Sequence, residues 1–588
     1  MGHAPVSAAR DSSPALLRVP PFPGFAQETG ARPAAPPLSH VAAGEARSQL
    51  FATLCAARVG GAFWLPPAGL ERAPGMILRP RTMADLPLLA PEARTDAART
   101  QGALWVAPDT ALHPALEALA KGARAQWRDE VDPWSVLLGA GHLHAHGDDE
   151  WIALARVARV PVTVLSAGVF GVPGDSDDAL DARAAQVLAI PLRDPFGDGE
   201  LTIKATLALL ADWRQVIDAN RGDKGQALVA ACGMAWWKRA EIRRFLWTPE
   251  HRLRILSDPR KALAAAHRAG GALAIWPSRV SDALLAEARA KGVPLVRVED
   301  GFVRSVGLGS NLVPPSSIVV DRRGIHFDPN DPSDLENILA THAFPPELLE
   351  RARELSATIL AAGISKYGAG KDGAAVPERR AGRRVVLVPG QVEDDMSVRA
   401  GGHGLASNLE LLRRARAAEP DAEIWWRPHP DVDAGHRVGA IDDTMARQYA
   451  DHIVRGGSMA ALLDAVDAVH VLTSLTGFEA LMRGREVTCH GTPFYAGWGL
   501  TRDLAPTPPR RGRSLTREEL VAGVLILYPR YLDPVTGLPC PPETLVARMA
   551  GNRAVNRQGW IAPVRRAQGR AMAALRRRFG HRGRSPQP

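Results

Sequence analysis

Apolar and polar positions alternate along most of this chain in two periods. From Ala62 to about Trp213, short apolar runs such as Ala103-Leu-Trp-Val-Ala107 and Val160-Pro-Val-Thr-Val-Leu165 alternate with Ala/Leu-rich stretches of helical period. That alternation predicts a small parallel α/β, Rossmann-like unit. A second series opens near Ala227. It predicts a strand at Ala272–Trp276, a helix at Ser281–Lys291 and a strand at Val293–Val298 that runs into Glu299-Asp300-Gly301. After a helical connection and a Gly-rich linker at about 367–382, a third series begins with the strand Arg384–Pro389. It continues with a helix over Ser407–Ala417, a strand at Glu423–Trp426, a helix over Met459–Val466 and a strand at Ala468–Leu472. Strand ends that open into glycine, proline and charge are where α/β sheets place their sites.

The pattern repeats. Arg193-Asp194-Pro-Phe-Gly-Asp-Gly199 precedes a predicted helix, and so does Leu532-Asp533-Pro-Val-Thr-Gly537. Upstream, Ala153-Leu-Ala-Arg156 and Val162-Thr-Val164 echo Ala480-Leu-Met-Arg483 and Val487-Thr-Cys489. The N-terminal part reads as a worn copy of the last half-module, with roughly His146–Ile152 standing where the later copy has Thr473–Glu479. Chance similarity between two Rossmann halves is the alternative. Five regions follow: a flexible leader at 1–45, a degenerate, non-catalytic half-module at 46–226, a Rossmann-like lobe with the acids at 227–370, a further Rossmann-like lobe at 383–550, which the resemblance named below makes the acceptor-side and donor-binding lobes respectively, and a basic tail at 551–588. The leader is rich in Pro, Ala and Gly, a composition that buries too little apolar surface to offset its ordering entropy.

At 588 residues the chain needs several domains, and its 46% hydrophobic and 23% charged content is ordinary for a folded globular protein. The net charge of +9 collects in the Arg-rich tail, so it is not one nucleic-acid face. Anionic small partners or an anionic lipid surface fit it better. The four cysteines, Cys55, Cys232, Cys489 and Cys540, form no CxxC pair, which suits a reducing compartment without a zinc site or disulfide framework. No signal-peptide h-region follows Met1, and the longest uncharged apolar run, Ala227–Trp237, is too short to span a bilayer.

Three constellations carry chemistry. In Arg427-Pro428-His429-Pro430-Asp431, a prolyl-rigid turn holds two donors that suit phosphate oxygens, although a lone His-Pro also serves as a structural turn. Thr473-Ser474-Leu-Thr476-Gly-Phe-Glu479, between a strand and a helix, offers hydroxyls and backbone N–H groups to an anion and an acid to ribose hydroxyls; an ordinary helix cap would use the same residues. Glu299-Asp300 lies among Gly301, Gly307, Gly309, Arg297 and Arg304, and an adjacent carboxylate pair in a dry cleft can divide nucleophile and base roles. A solvated Glu-Asp turn is the plainer alternative. Gln391-Val-Glu393-Asp394-Asp395 has the charge for a metal, but no His or further carboxylate stands at a ligand spacing.

Assembled, these motifs resemble the KpsC-type capsule polysaccharide β-Kdo transferases. The resemblance rests on Trp237-Lys238-Arg239, Glu299–Ser310, Gln391–Asp395, Arg427–Asp431, Thr473–Leu481 and Pro493-Phe-Tyr-Ala-Gly-Trp-Gly-Leu-Thr501, over about residues 228–548. It implies an α/β, GT-B-like glycosyltransferase, two Rossmann-like lobes facing a cleft, moving β-Kdo with retention from CMP-β-Kdo to a Kdo-primed lysophosphatidylglycerol. By the same resemblance Asp300 would be the nucleophile with Glu299 its neighbour. Arg427, His429, Thr473 and Ser474 would hold the CMP phosphate, with Thr476 on the donor side, Glu479 on the ribose and Gln391 near the donor. Arg304, Lys238 and Arg239 would complete the cleft. Retention needs two inversions, and a carboxylate nucleophile supplies the first. No cofactor or metal is expected, because CMP is a good leaving group.

Members of that family carry two complete modules, whereas the N-terminal copy here has no Glu-Asp-Gly-Phe stretch and its one His-Pro, His113-Pro114, stands alone. One active site making one linkage is therefore expected. The tail, with Arg576-Arg-Arg578 among Ala, Met, Leu and Phe, fits a helix on anionic lipid; together with the resemblance, this implies a cytoplasmic enzyme peripheral to the inner membrane, with other capsule-assembly proteins as further partners. A disordered solubilising tail would have the same composition. The alternatives in function are the initiating transferase acting on bare lipid and a non-catalytic export scaffold.

Overall fold

A computed structural model describes residues 16–25, 44–121, 125–222, 226–303, 313–365, 368–369, 376–435 and 437–551. The basic tail beyond 551, most of the leader and Arg304 lie outside the described residues. Two compact units divide the chain, one of residues 1–223 with 247–252, the other of 224–246 with 253–588.

The N-terminal unit is built on five parallel strands, Met76–Leu78, Ala103–Val106, Ala125–Arg128, Leu143–Ala145 and Val162–Val164, numbered 1 to 5 in chain order and arranged 3-2-1-4-5. Leu78, Trp105 and Leu143 are buried in it, as the apolar runs predict. An antiparallel hairpin of Leu192–Arg193 with Glu200–Leu201 follows, and then the long helix Ile203–Arg221. The expected flexible leader is corrected in part. Leu16, Leu17 and Phe22 are buried, and the Phe22 ring lies 4.8 Å from that of Trp247 and 5.4 Å from that of Trp213. A few apolar residues among prolines suffice when aromatic partners receive them.

Where these strands end, a cavity of about 600 Å³ is filled electrostatically from within. Arg79 is buried over the Trp151 ring and donates to Asp149 at 2.5 Å and Glu130 at 2.8 Å. Arg18 forks onto Glu150, and Arg81 pairs with Asp148. The two carboxylates hold the Arg79 guanidinium above its ordinary pKa against the opposing effect of burial.

The second unit holds two lobes. The first is a seven-stranded mixed sheet. Leu228–Cys232, Arg254–Ile255, Ala272–Ile275 and Leu295–Asp300 run parallel, and Ser317–Asp321, Pro529–Leu532 and Pro539–Cys540 add antiparallel strands beyond Asp300. Two expectations change here. The acids lie inside a paired strand rather than beyond its end, with Glu299 opposite Val319 and Asp300 opposite Ile318. The donor lobe does not run unbroken to 550, because after a π-helical turn at Ala522–Leu527 the chain returns to the first sheet.

The second lobe is a six-stranded parallel sheet, Val385–Pro389, Glu423–Arg427, His452–Ile453, Ala468–Val471, Glu486–Cys489 and Arg502–Asp503, again ordered 3-2-1-4-5-6. The result is a GT-B-like pair of Rossmann-like lobes facing a cleft. Among the described residues no helix is long and apolar enough to cross a membrane.

Two tests follow. Asp149→Asn removes one of two carboxylates from buried Arg79 and should destabilise the N-terminal unit by about 3 kcal/mol. The paired change Arg79→Met with Asp149→Leu should cost less than the single one in thermal unfolding; a larger cost would show that the pairing is not what matters. In the second lobe, His470 and His490 are buried with Nδ1 and Nε2 3.1 Å apart, and burial first, then nearby positive groups, depresses each pKa to about 4. The unfolded chain takes up protons near pH 6.5 that the folded lobe refuses until about pH 4, so stability is fully present above pH 6.5 and is lost as pH falls through that window. Urea melts from pH 7 to 4 should show the loss, and His490→Gln should flatten it.

Candidate functional site

The carboxyl ends of the second lobe's strands face the first lobe across a cavity of about 680 Å³. Its walls carry Glu299, Asp300, Gln391, Arg427, His429, Thr473, Ser474, Thr476 and Glu479, all of which the sequence singled out. They also carry Asp395 and Phe494 from the quoted motifs, and Trp276, Ser278, His326, Phe327 and Ser397, which the sequence did not mark as site residues.

On the first lobe, Asp300 is pinned by Lys238, whose Nζ lies 2.9 Å from Oδ1. Lys238 is buried with its ammonium 3.6 Å from the Trp276 ring centroid and 5.1 Å from that of Trp237, so the motif Trp237-Lys238 works as a cation held on aromatic faces. Glu299 Oε1 accepts the N–H of Asp300 at 3.0 Å. Gly301 follows because a β-carbon there would collide with Ser317 Oγ, which donates to the Val303 carbonyl at 2.5 Å. Arg239 is corrected. Its guanidinium serves the Met234 carbonyl and Ser257 Oγ, and it does not line the cleft.

On the second lobe the donors are arranged in layers. Gln391 grips Thr473 twice, its Oε1 accepting the Thr473 N–H at 2.9 Å and its Nε2 donating to Oγ1 at 3.0 Å. Thr473 Oγ1 donates onward to Ser397 Oγ at 3.2 Å. Ser474 Oγ takes the N–H of Thr476, and Tyr495 donates its hydroxyl to the Ser474 carbonyl at 2.5 Å. A side chain at Gly477 would strike that tyrosine. His429 caps the short helix Pro430–Asp433, with Nδ1 accepting the Asp431 N–H at 3.2 Å, so in the neutral ring the proton sits on Nε2 as a donor.

Arg427 is buried and makes no salt bridge among the described residues; it donates to the Gly456 and Gly457 carbonyls. Burial pulls its pKa down, offset only by the charge of Asp433. A buried cation without a carboxylate partner at a cleft wall favours an anion there. The acids of the 391–395 stretch have local roles. Glu393 accepts the Asn408 N–H, Asp394 pairs with Arg437, and Asp395 caps Ser397.

The N-terminal sheet can now be read residue by residue against this lobe. Ile77 pairs with Leu104 and Leu143, as Val386 does with Ile424 and Ala468, so Leu104 corresponds to Ile424 and Leu143 to Ala468. Carried along the chain, this sets Ala107 at the position of Arg427 and Asp109 at that of His429; Asp109 caps the Ala111 N–H as His429 caps Asp431. It likewise sets Asp148, Asp149 and Leu154 at the positions of Thr473, Ser474 and Glu479. The helices Trp151–Val157 and Thr476–Met482 begin in this same register, two residues away from the correspondence expected of His146–Ile152. An arginine, an imidazole and two hydroxyls have become alanine and three carboxylates. The isolated His113 bonds the Ala107 carbonyl and stacks on Trp127.

Residues 271–531 match the family model described as capsule polysaccharide biosynthesis protein. The chain is 43% identical over 325 residues to the capsule polysaccharide modification protein LipA of Neisseria meningitidis serogroup A, covering 55% of this chain and 46% of the relative. It is 46% identical over 244 residues to the lipopolysaccharide-processing protein LpsZ of Rhizobium meliloti, covering 41% and 54%. The chain thus spans about half the length of the curated relatives it matches. Among solved structures it is similar to the Thermosulfurimonas dismutans KpsC β-Kdo 2,4 transferase, with 32% identity over 55% of this chain and 98% of that one and a TM-score of 0.48. The 2,7 transferase of the same organism gives 34%, 55%, 99% and 0.46. Through residues 271–531 the chain belongs to the capsule polysaccharide biosynthesis protein family, and its similarities within that family run to the KpsC type.

Proposed function

We propose that the second unit is a retaining β-Kdo transferase that takes the sugar from CMP-β-Kdo and adds it to a Kdo-primed lysophosphatidylglycerol in capsule linker synthesis. The observation that carries this reading is the opposition of two unlike walls across one cleft. Acids pinned by a lysine stand on one side, and the donors of Arg427, His429, Thr473 and Ser474 stand on the other. An enzyme that breaks a sugar–phosphate bond needs both, because positive charge grows at the anomeric carbon while negative charge grows on the leaving phosphate.

In the first step an Asp300 oxygen forms a bond to the anomeric carbon as the bond to the CMP phosphate oxygen breaks. The departing electron pair is received among the donors of the second lobe. In the second step an acceptor hydroxyl oxygen attacks that carbon from the side CMP left, its proton passes to solvent water, and the electron pair of the sugar–Asp300 bond returns to the carboxylate. Two inversions give retention. Lys238 orients the carboxylate for both steps, and Glu479 suits the ribose hydroxyls. Neither step calls for a cofactor or a metal ion. The N-terminal unit, with carboxylates at the phosphate-site positions, fits a non-catalytic role. The Arg-rich tail suits attachment to anionic lipid at the cytoplasmic face.

The test is direct. Wild-type protein incubated with CMP-Kdo should show a Kdo-sized mass increase on intact protein, located to the peptide holding Asp300, and should transfer Kdo to a synthetic Kdo-lipid. Asp300→Ala should lose both, with transfer falling by at least about 10³-fold. Lys238→Met should lower kcat far more than it raises KM for the donor. Absence of both adduct and transfer in the wild type would favour a scaffold instead.

A further inference from the structure

The cavity of about 600 Å³ in the N-terminal unit takes no part in the transfer chemistry. It lies outside the carboxyl ends of strands 1 to 4 of a sheet ordered 3-2-1-4-5. Between strands 1 and 4 that order reverses, which is where open α/β sheets hold their ligands. On its wall are Asp109, Asp148 and Asp149, the residues that stand at the positions of His429, Thr473 and Ser474. The location of a binding site is therefore kept, and its chemistry is changed.

That wall mixes fixed donors with fixed acceptors. Arg18, Arg79 and Arg81 stand there with five carboxylates. The ion pairs hold both kinds of group in place without exhausting them. A carboxylate has about four lone-pair sites. Glu130 takes one N–H of Arg79, Asp148 one of Arg81 and Asp109 that of Ala111, while Asp149 takes one from Arg79 and one from Trp151. On the donor side, Arg79 is 8% exposed, and its Nη1 is buried and meets no acceptor. A buried N–H on a cavity wall calls for an acceptor that the chain itself does not supply.

Charge and shape decide among ligands. Three guanidiniums against five carboxylates leave the wall net negative, which disfavours a phosphate or a sugar acid. The described lining residues include no Phe, Tyr or Trp, so a nucleobase has no ring to stack on. Among the described residues no group of three or more His, Cys, Asp or Glu is placed to hold a metal ion. What fits is an uncharged molecule that donates and accepts from neighbouring atoms. Vicinal hydroxyls do this, giving two O–H donors to a carboxylate or two oxygens to a guanidinium. The C–H faces of a sugar ring also suit the small apolar surfaces of Ala62, Leu65, Pro80 and Pro108. We propose that this cavity binds a neutral saccharide, so that the N-terminal unit is a glycan-holding module on the same chain as the second unit. The proposal stands apart from the transferase reading.

The experiment applies the full chain to an array of neutral, amino-substituted and acidic oligosaccharides, with a Kdo oligosaccharide in the acidic set, and then titrates the best-bound neutral compound by calorimetry. Wild type should bind neutral saccharides in preference to acidic ones. Arg81 and Asp148 form a half-exposed ion pair on the cavity rim, so Arg81→Ala and Asp148→Ala should fold with an unchanged circular dichroism spectrum. Each should weaken the calorimetric affinity by about tenfold or more. Asp300→Ala and Arg427→Ala, in the cleft of the second unit, should leave that affinity unchanged. Three results would overturn the proposal: no binding of any neutral saccharide, binding confined to acidic or amino-substituted glycans, or binding that Arg427→Ala or Asp300→Ala abolishes while Arg81→Ala and Asp148→Ala retain it. Kdo transfer by wild type is decided in a separate assay, so either reading can fail without the other.

Discussion

The antiparallel pairing of Leu295–Asp300 with Ser317–Asp321 is the constraint on which the second unit depends. It draws Glu299 and Asp300 into a hydrogen-bonded ladder, where their backbone directions are set by Val319 and Ile318 rather than by a loop. It also seats Asp321 opposite Arg297 at the far end of that ladder, and Asp321 fixes the turn carrying His326. Through its other edge the same strand accepts Pro529–Leu532, which ties the segment leaving the second lobe to the first. Gly301 and Ser317 show how closely the strands approach, since only a residue without a β-carbon passes the serine hydroxyl. One ladder thus positions the acids, an imidazole and the return of the chain.

The two cleft walls solve opposite electrostatic problems. On the first lobe a buried ammonium is made tolerable by aromatic faces and one carboxylate, so charge is matched internally and the acid is held in one orientation. On the second lobe the buried guanidinium of Arg427 donates to backbone carbonyls and makes no salt bridge among the described residues, and the hydroxyls of Thr473 and Ser474 are oriented by Gln391 and Thr476. That wall has donors in excess of acceptors. A low-dielectric cleft strengthens such an imbalance, which makes an anion the ligand it stabilises most.

Much of this was legible in the sequence because parallel strands end abruptly. An apolar run followed by Arg-Pro-His-Pro or Thr-Ser-Leu-Thr marks a strand end and a helix start at once, and those residues stand together in the cleft. What was not legible involves partners distant in sequence. Nothing in Pro529–Leu532 tells that its neighbour is Ser317–Asp321, some two hundred residues earlier, so the boundary of the second lobe is not readable from the sequence. His326 is a single imidazole in a turn, with no spacing to mark it. Arg239 stands next to Lys238 in sequence, yet on the turn between Trp236–Lys238 and the following helix adjacent side chains diverge. Phe22 gave no periodic signal, because its burial is due to two tryptophans far along the chain.

The N-terminal sheet, set beside the second lobe's sheet, shows which side chains make the donor-rich wall. Both sheets keep the 3-2-1-4-5 order, both carry a capping side chain two residues before the same backbone N–H, and both follow with a hairpin and helix. The backbone is therefore not what distinguishes them. In the N-terminal sheet the carboxylates of Asp148 and Asp149 occupy the places of Thr473 and Ser474 and satisfy Arg81 and Arg79 from within. Internal anions then occupy that end of the sheet, and an incoming anion would meet Asp109, Asp148 and Asp149 instead of donors. Arg79 and Arg81 are paired at the strand ends of the N-terminal sheet, whereas Arg427 makes no salt bridge among the described residues at those of the second lobe. That difference in a few side chains, rather than any difference in architecture, is what gives the second lobe its donor-rich wall.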